Sequence, residues 1–140
     1  LRSNKDRKAL IKSLARGKHV MIGTDHAPHT LDDKKNGACG FSGIETAFSL
    51  CYTSLVLKKY IDLKRLSSLM SAEPARRLGL NKGLIRTGMD ADLVLIDLDD
   101  SFEVNPENFL SKGKYTPVAG KMLSGRICKT FYRGQVVYNL

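Results

Sequence analysis

The sequence predicts an α/β fold, in which a helix-and-strand part over residues 1–80 is followed by a mainly β part over residues 81–140. In the first part, apolar residues at helical spacing precede a short, almost wholly apolar run at 19–23. Such a run is typical of a strand covered on both faces, as in a parallel sheet. In the second part, branched apolar residues at 91–98 predict a strand, and the pattern over 126–138 predicts a hairpin.

The first helix is predicted over about residues 4–16. Ser3 followed by Asp6 resembles a capping box, and an apolar stripe at helical spacing follows it. Gly17 suits the position just past a helix end. The strand predicted at 19–23 comes directly afterwards.

Three further segments complete the first part. Residues 30–42 predict a polar, glycine-containing loop, which is either functional or a flexible connection. A second helix is predicted from Gly43 to about Lys59 on an apolar stripe. Asp62 then caps a third helix, and Pro74 begins a short further helical turn that ends at Gly79. We interpret these apolar stripes as core positions.

The mainly β part begins after a turn signal at Asn81-Lys82-Gly83. Ala91 to Leu98 is predicted as a strand between acidic turns. Two more strands, Arg126–Tyr132 and Gln135–Tyr138, are predicted to pair around a turn at Arg133-Gly134.

A polar cluster follows the apolar run at 19–23 directly. Its sequence is Gly23-Thr24-Asp25-His26-Ala27-Pro28-His29-Thr30. An Asp with nearby His residues at the end of a buried strand can bind a divalent metal or move a proton. The alternative is structural: Asp25 caps a turn, Pro28 makes it rigid, and the histidines lie on the surface.

Composition indicates a folded domain. The chain has 140 residues, of which 42% are hydrophobic and 26% charged. Its apolar runs are far below the ~20 residues that a membrane span needs, and the charged first residues predict no signal peptide. Three widely spaced cysteines argue against a secreted disulfide framework. We therefore expect a cytoplasmic protein that has no membrane partner.

The net charge of +9 raises the alternative of a nucleic-acid-binding protein. Much of the positive charge lies before residue 20, on and around the helix predicted over residues 4–16. No aromatic residues are interleaved there, and no nucleic-acid-binding motif is present. We favour a solvated helix face and expect no nucleic-acid partner.

The polar cluster also resembles a known signature. Thr24-Asp25-His26-Ala27-Pro28-His29 is similar to the Ser/Thr-Asp-His-Ala-Pro-His motif of dihydroorotases, which are zinc amidohydrolases of pyrimidine biosynthesis. Further segments along the chain resemble the same family or its wider superfamily. These segments are Leu1-Arg2-Ser3, Gly43-Ile44-Glu45-Thr46, Lys82-Gly83-Leu84-Ile85, Asp90-Ala91-Asp92-Leu93-Val94 and Thr116-Pro117-Val118.

The resemblance implies a metal-dependent hydrolase fold, a TIM (β/α)₈ barrel followed by a small composite β-sandwich. On that template, residues 1–80 are the last βα units of the barrel with the active-site loop, and 19–23 is the eighth strand. Residues 81–140 are the C-terminal part of the sandwich. Since a complete barrel takes about 200 residues or more, we expect the chain to be the C-terminal part of a longer enzyme.

The resemblance also implies roles for individual residues. Asp25 matches the aspartate that binds metal and acts as the catalytic general base. His29 matches a histidine that contacts the substrate carboxylate, and Ala27 matches a residue that offers its backbone to that carboxylate. Gly40 and Phe41 fall where the family's loop touches substrate, although the loop is shorter here.

The implied cofactor is zinc, with one or two ions per complete subunit. The remaining ligands would lie upstream, and zinc normally needs about three or four protein ligands. We therefore expect Asp25 alone to hold no catalytic zinc and the isolated chain to be inactive. His26 is expected to make a supporting hydrogen bond rather than to bind metal. The implied substrates are dihydroorotate and N-carbamoyl-L-aspartate, and the implied full-length enzyme is a homodimer.

Other functions stay open at this point. Allantoinase and dihydropyrimidinase (hydantoinase) also carry Asp-His after the eighth strand, whereas a histidine at position 29 suits an anionic substrate such as dihydroorotate. A noncatalytic assembly partner of aspartate carbamoyltransferase is an alternative from another class. A nucleic-acid binder comes last.

Overall fold

The computed structural model describes residues 3–140. Leu1 and Arg2, which carry part of the resemblance at the start of the chain, lie outside the described residues. The first element is helix α1, Asn4–Arg16, as predicted. The Ser3 side chain accepts a hydrogen bond from the Asp6 backbone N–H, so it occupies one of the unpaired donors at the helix start.

The contacts divide the chain into two compact units. One contains the described residues up to Gly23, together with Ser54–Ile96 and Ile127–Leu140. The other contains Thr24–Thr53 and Asp97–Arg126. The division near residue 80 that the sequence predicts, into a barrel part and a sandwich part, stays a prediction.

Residues 20–30 form neither a helix nor a strand, so the strand predicted at 19–23 is absent from the described residues. A strand is defined by its pairing with a neighbour, whereas the Ile22 backbone N–H donates to the carbonyl of Leu69, which lies in a helical turn. The prediction of a strand covered on both faces is therefore not met in the described residues, since none of residues 19–23 is buried and Met21 is 47% exposed.

The predicted loop over residues 30–42 contains a short helix, α2, Leu31–Lys35. It has a complete capping box, since the Thr30 side chain accepts from Asp33 N–H and the Asp33 carboxylate accepts from Thr30 N–H. The second predicted helix begins with a 3₁₀ turn, Ile44–Thr46, continues as α3, Ala47–Cys51, and ends in a π turn, Tyr52–Val56.

The third and fourth predicted helical segments form one continuous helical run. It consists of α4, Leu63–Ser67, a π turn, Ser68–Ala72, and α5, Glu73–Leu78. The wide π turn lies near Pro74, which lacks the N–H that a regular α-turn would use. Gly79 ends the run in the left-handed conformation, at φ 66°.

Buried apolar residues within the range 3–140 form a group in each compact unit. In the helical run, Leu66 and Leu69 are fully buried and Ala75 is nearly so. A separate cluster in the other unit contains Val104, Phe109, Val118 and Leu123, with Leu50 and Phe102 packed against it.

A three-stranded sheet has the order β1-β2-β3, with β1 at Leu93–Glu103, β2 at Met122–Tyr132 and β3 at Gln135–Asn139. Strands β2 and β3 are antiparallel, with a bulge between Thr130 and Phe131. The hairpin prediction is confirmed.

Arg133 and Gly134 connect β2 to β3 with φ values of 49° and 80°. Two positive φ values are the pattern of the tight turn that favours a hairpin. Many apolar side chains of β1 and β3 remain exposed, including Leu93, Val94 and Leu95 in succession. No helix within residues 3–140 is long and apolar enough to cross a membrane.

Candidate active site

Asp25 lies in the irregular segment that follows Gly23, with its side chain exposed. Its φ of 47° places the backbone in the left-handed region. Asp and Asn tolerate this region better than other residues with a side chain, because their short polar groups can bond locally. Within the described part of the chain, no hydrogen bond or ion pair engages the Asp25 carboxylate, so it is available to a ligand.

His26 is half-buried, and its Nδ1 atom accepts two backbone hydrogen bonds. The N–H of Gly43 lies at 3.2 Å and that of Ile44 at 3.3 Å from this nitrogen. Both donors belong to the start of the 3₁₀ turn at Ile44–Thr46, where Gly43 is the N-cap residue and provides no side-chain cap. The histidine therefore accepts hydrogen bonds from the start of the next helix, whereas its expected supporting role at a metal site stays a prediction.

Ala27 and Phe41 are joined by a hydrogen bond, in which Ala27 N–H donates to the Phe41 carbonyl at 3.1 Å. Gly40 packs closely on the same segment, because a Cβ atom at this glycine would lie 2.6 Å from the Ala27 carbonyl oxygen and 3.2 Å from His29 Cδ2. Gly40 also has a φ of 122°, which residues with a side chain rarely adopt.

The structure thus brings together the substrate-binding candidates Ala27, His29, Gly40 and Phe41 along two neighbouring segments of one compact unit. Asp25 is two residues from Ala27 on the first segment. His29 is half-buried, and the buried backbone of Gly113 lies against it, since a Cβ atom there would be 2.8 Å from His29 N. The roles of these residues remain predictions.

Three residues in or directly after the loop over residues 30–42 make contacts that were not predicted. Lys34 donates through Nζ to the carbonyls of Ala38 and Gly40, at 2.6 and 2.9 Å. The same ammonium group lies 4.8 Å from the centroid of the Tyr115 ring, a cation–π contact. A lysine in a polar loop gives no signal in the sequence that would reveal this role.

Ser42 is the second of these residues. It is buried, and its hydroxyl donates to the carbonyl of Gly113. Its backbone N–H donates to the carbonyl of Tyr115 at 2.9 Å. These two bonds fix residue 42 to a segment about 70 positions later in the chain.

Glu45 is the third. Its carboxylate accepts the backbone N–H groups of Leu110 and Ser111, at 2.7 and 3.0 Å. Partial burial would raise the pKa of this carboxyl, but the hydrogen bonds from Ser111 and Leu110 and the charge of Lys114 outweigh it, so the pKa is lowered. The Gly43-Ile44-Glu45-Thr46 segment was noted for its resemblance, but not for this contact.

The fit of the site to a metal ion is partial. Within residues 3–140, no group of three or more His, Cys, Asp or Glu side chains is placed to hold a metal. The exposed Asp25 carboxylate can supply one oxygen ligand, whereas a zinc site needs about three or four protein ligands. The described residues therefore provide one of the ligands that a zinc site needs.

Comparisons with known proteins give a consistent family. The profile of the amidohydrolase family matches residues 1–137. A dihydroorotase from Clostridium botulinum (strain Eklund 17B / Type B) is 46% identical over 138 residues, which are 99% of this chain and 35% of that protein. A dihydroorotase from Bacillus cereus (strain AH820) is 42% identical over 142 residues, covering 99% of this chain and 33% of that protein.

Solved structures are also similar. The L-hydantoinase (dihydropyrimidinase) from Arthrobacter aurescens matches with a TM-score of 0.91 at 33% identity, over 98% of this chain and 32% of that one. The D-hydantoinase (dihydropyrimidinase) from Thermus sp. matches with a TM-score of 0.91 at 29% identity, over 99% of this chain and 32% of that one. The chain spans about a third of the length of these relatives.

Proposed function

The chain belongs to the amidohydrolase family, and we propose on that basis that it forms the Asp25-bearing end of the active site of a zinc-dependent dihydroorotase. The reaction is the reversible hydrolysis of the ring amide of dihydroorotate to N-carbamoyl-L-aspartate in pyrimidine biosynthesis. The observation that carries the proposal is the exposed Asp25 carboxylate two residues before Ala27, whose N–H is bonded to Phe41, in a chain 46% identical to a dihydroorotase.

The fold context of the proposal is a partial TIM barrel, as the similarity to hydantoinases indicates. Residues 1–80 would contribute the last units of the barrel and the active-site loop. Residues 81–140 would contribute strands to the β-sandwich, where the exposed apolar residues of β1 and β3 would find partners. A homodimer in the cytoplasm is the proposed setting of the full-length enzyme.

Asp25 is proposed to act as both metal ligand and general base. Bound zinc, with its further ligands upstream, would supply a Lewis acid and an activated water. One carboxylate oxygen of Asp25 accepts a proton during attack on the ring carbonyl, and it then gives this proton to the leaving ring nitrogen. Its exposure and its freedom from protein partners leave both oxygens available for these roles.

The neighbouring residues are proposed to bind the substrate carboxylate. An N–H of the His29 imidazole donates to it. The Ala27 N–H donates to the Phe41 carbonyl, so a contact between Ala27 and the carboxylate requires this N–H to be shared or released. Gly40 and Phe41 contribute backbone contacts from the facing loop. The Ala27–Phe41 hydrogen bond holds this loop next to the segment that carries His29.

A hydantoinase or dihydropyrimidinase activity is the second candidate. It is favoured by the similarity to solved hydantoinases at 29–33% identity. Hydantoin and dihydrouracil have no ring carboxylate that His29 could bind. The higher identity to dihydroorotases supports the first candidate.

The test uses the full-length protein that contains this chain, reconstituted with zinc. Rates with dihydroorotate, dihydrouracil, hydantoin and allantoin are compared for the wild type and for His29→Ala. We expect dihydroorotate to be the preferred substrate and the variant to raise KM for dihydroorotate by about tenfold or more, as the loss of a charge-assisted hydrogen bond predicts. Preference for hydantoin with an unchanged KM in the variant would contradict the proposal.

A second test uses the 140-residue chain with added zinc. We expect no ring opening above the zinc-only rate, because one carboxylate does not complete a zinc site. Robust turnover by the chain itself would show that the described residues hold a metal site after all.

A further inference from the structure

The N–H groups at the start of the helical segment Ile44–Val56 need acceptors. The first N–H groups of any helix lack partners within the helix, and a side chain at the N-cap position usually accepts one of them. Here Gly43 occupies that position and has no side chain to offer. The acceptor comes instead from 17 residues earlier in the chain, because Gly43 N–H and Ile44 N–H both donate to His26 Nδ1.

These two hydrogen bonds determine the tautomer and the orientation of the His26 imidazole. A nitrogen that accepts two N–H bonds carries no proton, so the ring proton of His26 is assigned to Nε2. The ring is half-buried, and its orientation is fixed by two donors that belong to one helix start. His26 therefore serves as a long-range cap.

The backbone around this cap has an uncommon conformation and is closely packed. Asp25, the preceding residue, has a φ of 47°, a conformation that persists when surrounding contacts enforce it. Two contacts follow on the other side of His26: Ala27 N–H donates to Phe41 at 3.1 Å, and Gly40 packs on Ala27 without room for a Cβ atom. The hydrogen bonds of His26 are therefore the ones nearest in sequence to Asp25.

We propose that His26 is a positioning residue, whose Nδ1 atom caps the helix beginning at Ile44 and thereby fixes the backbone that links Asp25 to Ala27, the residue bonded to Phe41. His26 touches neither substrate nor reacting atoms in this role. Its effect on catalysis rests on the dihydroorotase function proposed above, whereas its effect on the helix start does not.

Two substitutions separate the ring nitrogens. In His26→Asn the side-chain oxygen takes the place of Nδ1 and can still accept from Gly43 and Ile44. In His26→Gln the oxygen extends to the place of Nε2 and cannot reach both donors without moving the backbone. His19→Gln is the control, since this exposed histidine has Arg76 and Arg77 as its hydrogen-bond partners.

The first readout is hydrogen exchange of the Gly43 and Ile44 amides in the full-length protein, measured by mass spectrometry on peptides that cover residues 40–46. We expect the Gly43 and Ile44 amides to exchange about tenfold faster in His26→Gln, because each of them loses one hydrogen bond that slows its exchange. His26→Asn and the control should stay within about threefold of the wild type. Fast exchange in His26→Asn, failure of that variant to fold, or unchanged exchange in His26→Gln would each overturn the proposal.

The second readout is kcat/KM for dihydroorotate. We expect a fall of about tenfold or more in His26→Gln and recovery to within about threefold in His26→Asn. Equal losses in both variants would contradict positioning through Nδ1. If the wild type does not turn over dihydroorotate but the exchange pattern is found, the proposed function fails and the capping role of His26 stands.

Discussion

The segment over residues 24–43 and the helical run over residues 63–78 are stabilised in opposite ways. The helical run buries Leu66 and Leu69 completely and is organised by an apolar stripe. The site segment buries no large apolar side chain, and Phe41 is exposed. Its backbone is held by polar contacts such as those of His26 and Lys34.

The difference shows how positioning and stability are divided in this chain. Apolar burial contributes most free energy but is non-directional. Hydrogen bonds to backbone groups contribute less each but fix direction. Asp25 is exposed and has a φ of 47°, and the contacts near it are directional hydrogen bonds of the neighbouring residues rather than apolar burial.

The largest effect that would test this division is on activity. Asp25→Asn keeps a residue that tolerates the left-handed conformation while it removes the basic oxygen. In the full-length enzyme we expect kcat/KM to fall by about 10³-fold, with the free energy of unfolding changed by less than about 0.5 kcal/mol. Steady-state kinetics and urea unfolding measure the two. A large loss of stability would mean that Asp25 has a structural role.

The next effect is on stability alone. Leu66→Ala removes a fully buried side chain of α4 and should cost about 3 kcal/mol of unfolding free energy. Leu78→Ala in α5 is the matched control, because Leu78 is 70% exposed and should change stability by less than about 0.5 kcal/mol. Urea unfolding followed by circular dichroism compares them. Equal effects would show that Leu78 is covered elsewhere in the full-length protein.

A smaller effect is expected from Glu45→Gln. The variant keeps the shape of the side chain but removes the negative charge that accepts hydrogen bonds from Leu110 and Ser111 N–H. We expect the free energy of unfolding to fall by about 1–2 kcal/mol at neutral pH. Because the folded-state pKa is lowered, the stabilisation is present above the ordinary value of 4.5 and is lost as pH falls through the lower folded-state value. The stability gap between wild type and variant should therefore close on acidification. A gap that is constant from pH 7 to pH 3 would contradict a role for the charge.

The smallest effect concerns a local cap. Asp62 accepts from Arg65 N–H at 2.7 Å at the start of α4. Asp62→Ala should cost about 1 kcal/mol, and Asp62→Ser should restore most of it, since serine also caps. Thermal unfolding of the two variants side by side measures the difference. Without recovery in Asp62→Ser, the contribution of Asp62 would not be capping.

The parts that were predicted from sequence are those with a local cause. The caps at Ser3, Asp62 and Gly79 and the turn at Arg133-Gly134 depend on residues close in sequence, and all four are confirmed. The two π turns were missed, because apolar spacing alone does not reveal a widened turn.

The candidate site was predicted only in its residue types. The resemblance identified Asp25 and its neighbours, but the contacts of Ser42 with Gly113 and of Glu45 with Leu110 span 71 and 65 positions. Such pairings are set by the tertiary fold rather than by local pattern. The absent strand at 19–23 has the same cause, since strand formation depends on a distant partner.

The sheet has a practical consequence for anyone who prepares the chain by itself. Strands β1 and β3 are its two outer strands, and both carry exposed branched side chains such as Val94 and Val137. Outer strands with apolar surfaces are templates for pairing between molecules. Expression of this chain in bacteria should therefore yield inclusion bodies unless a solubility tag covers these outer strands.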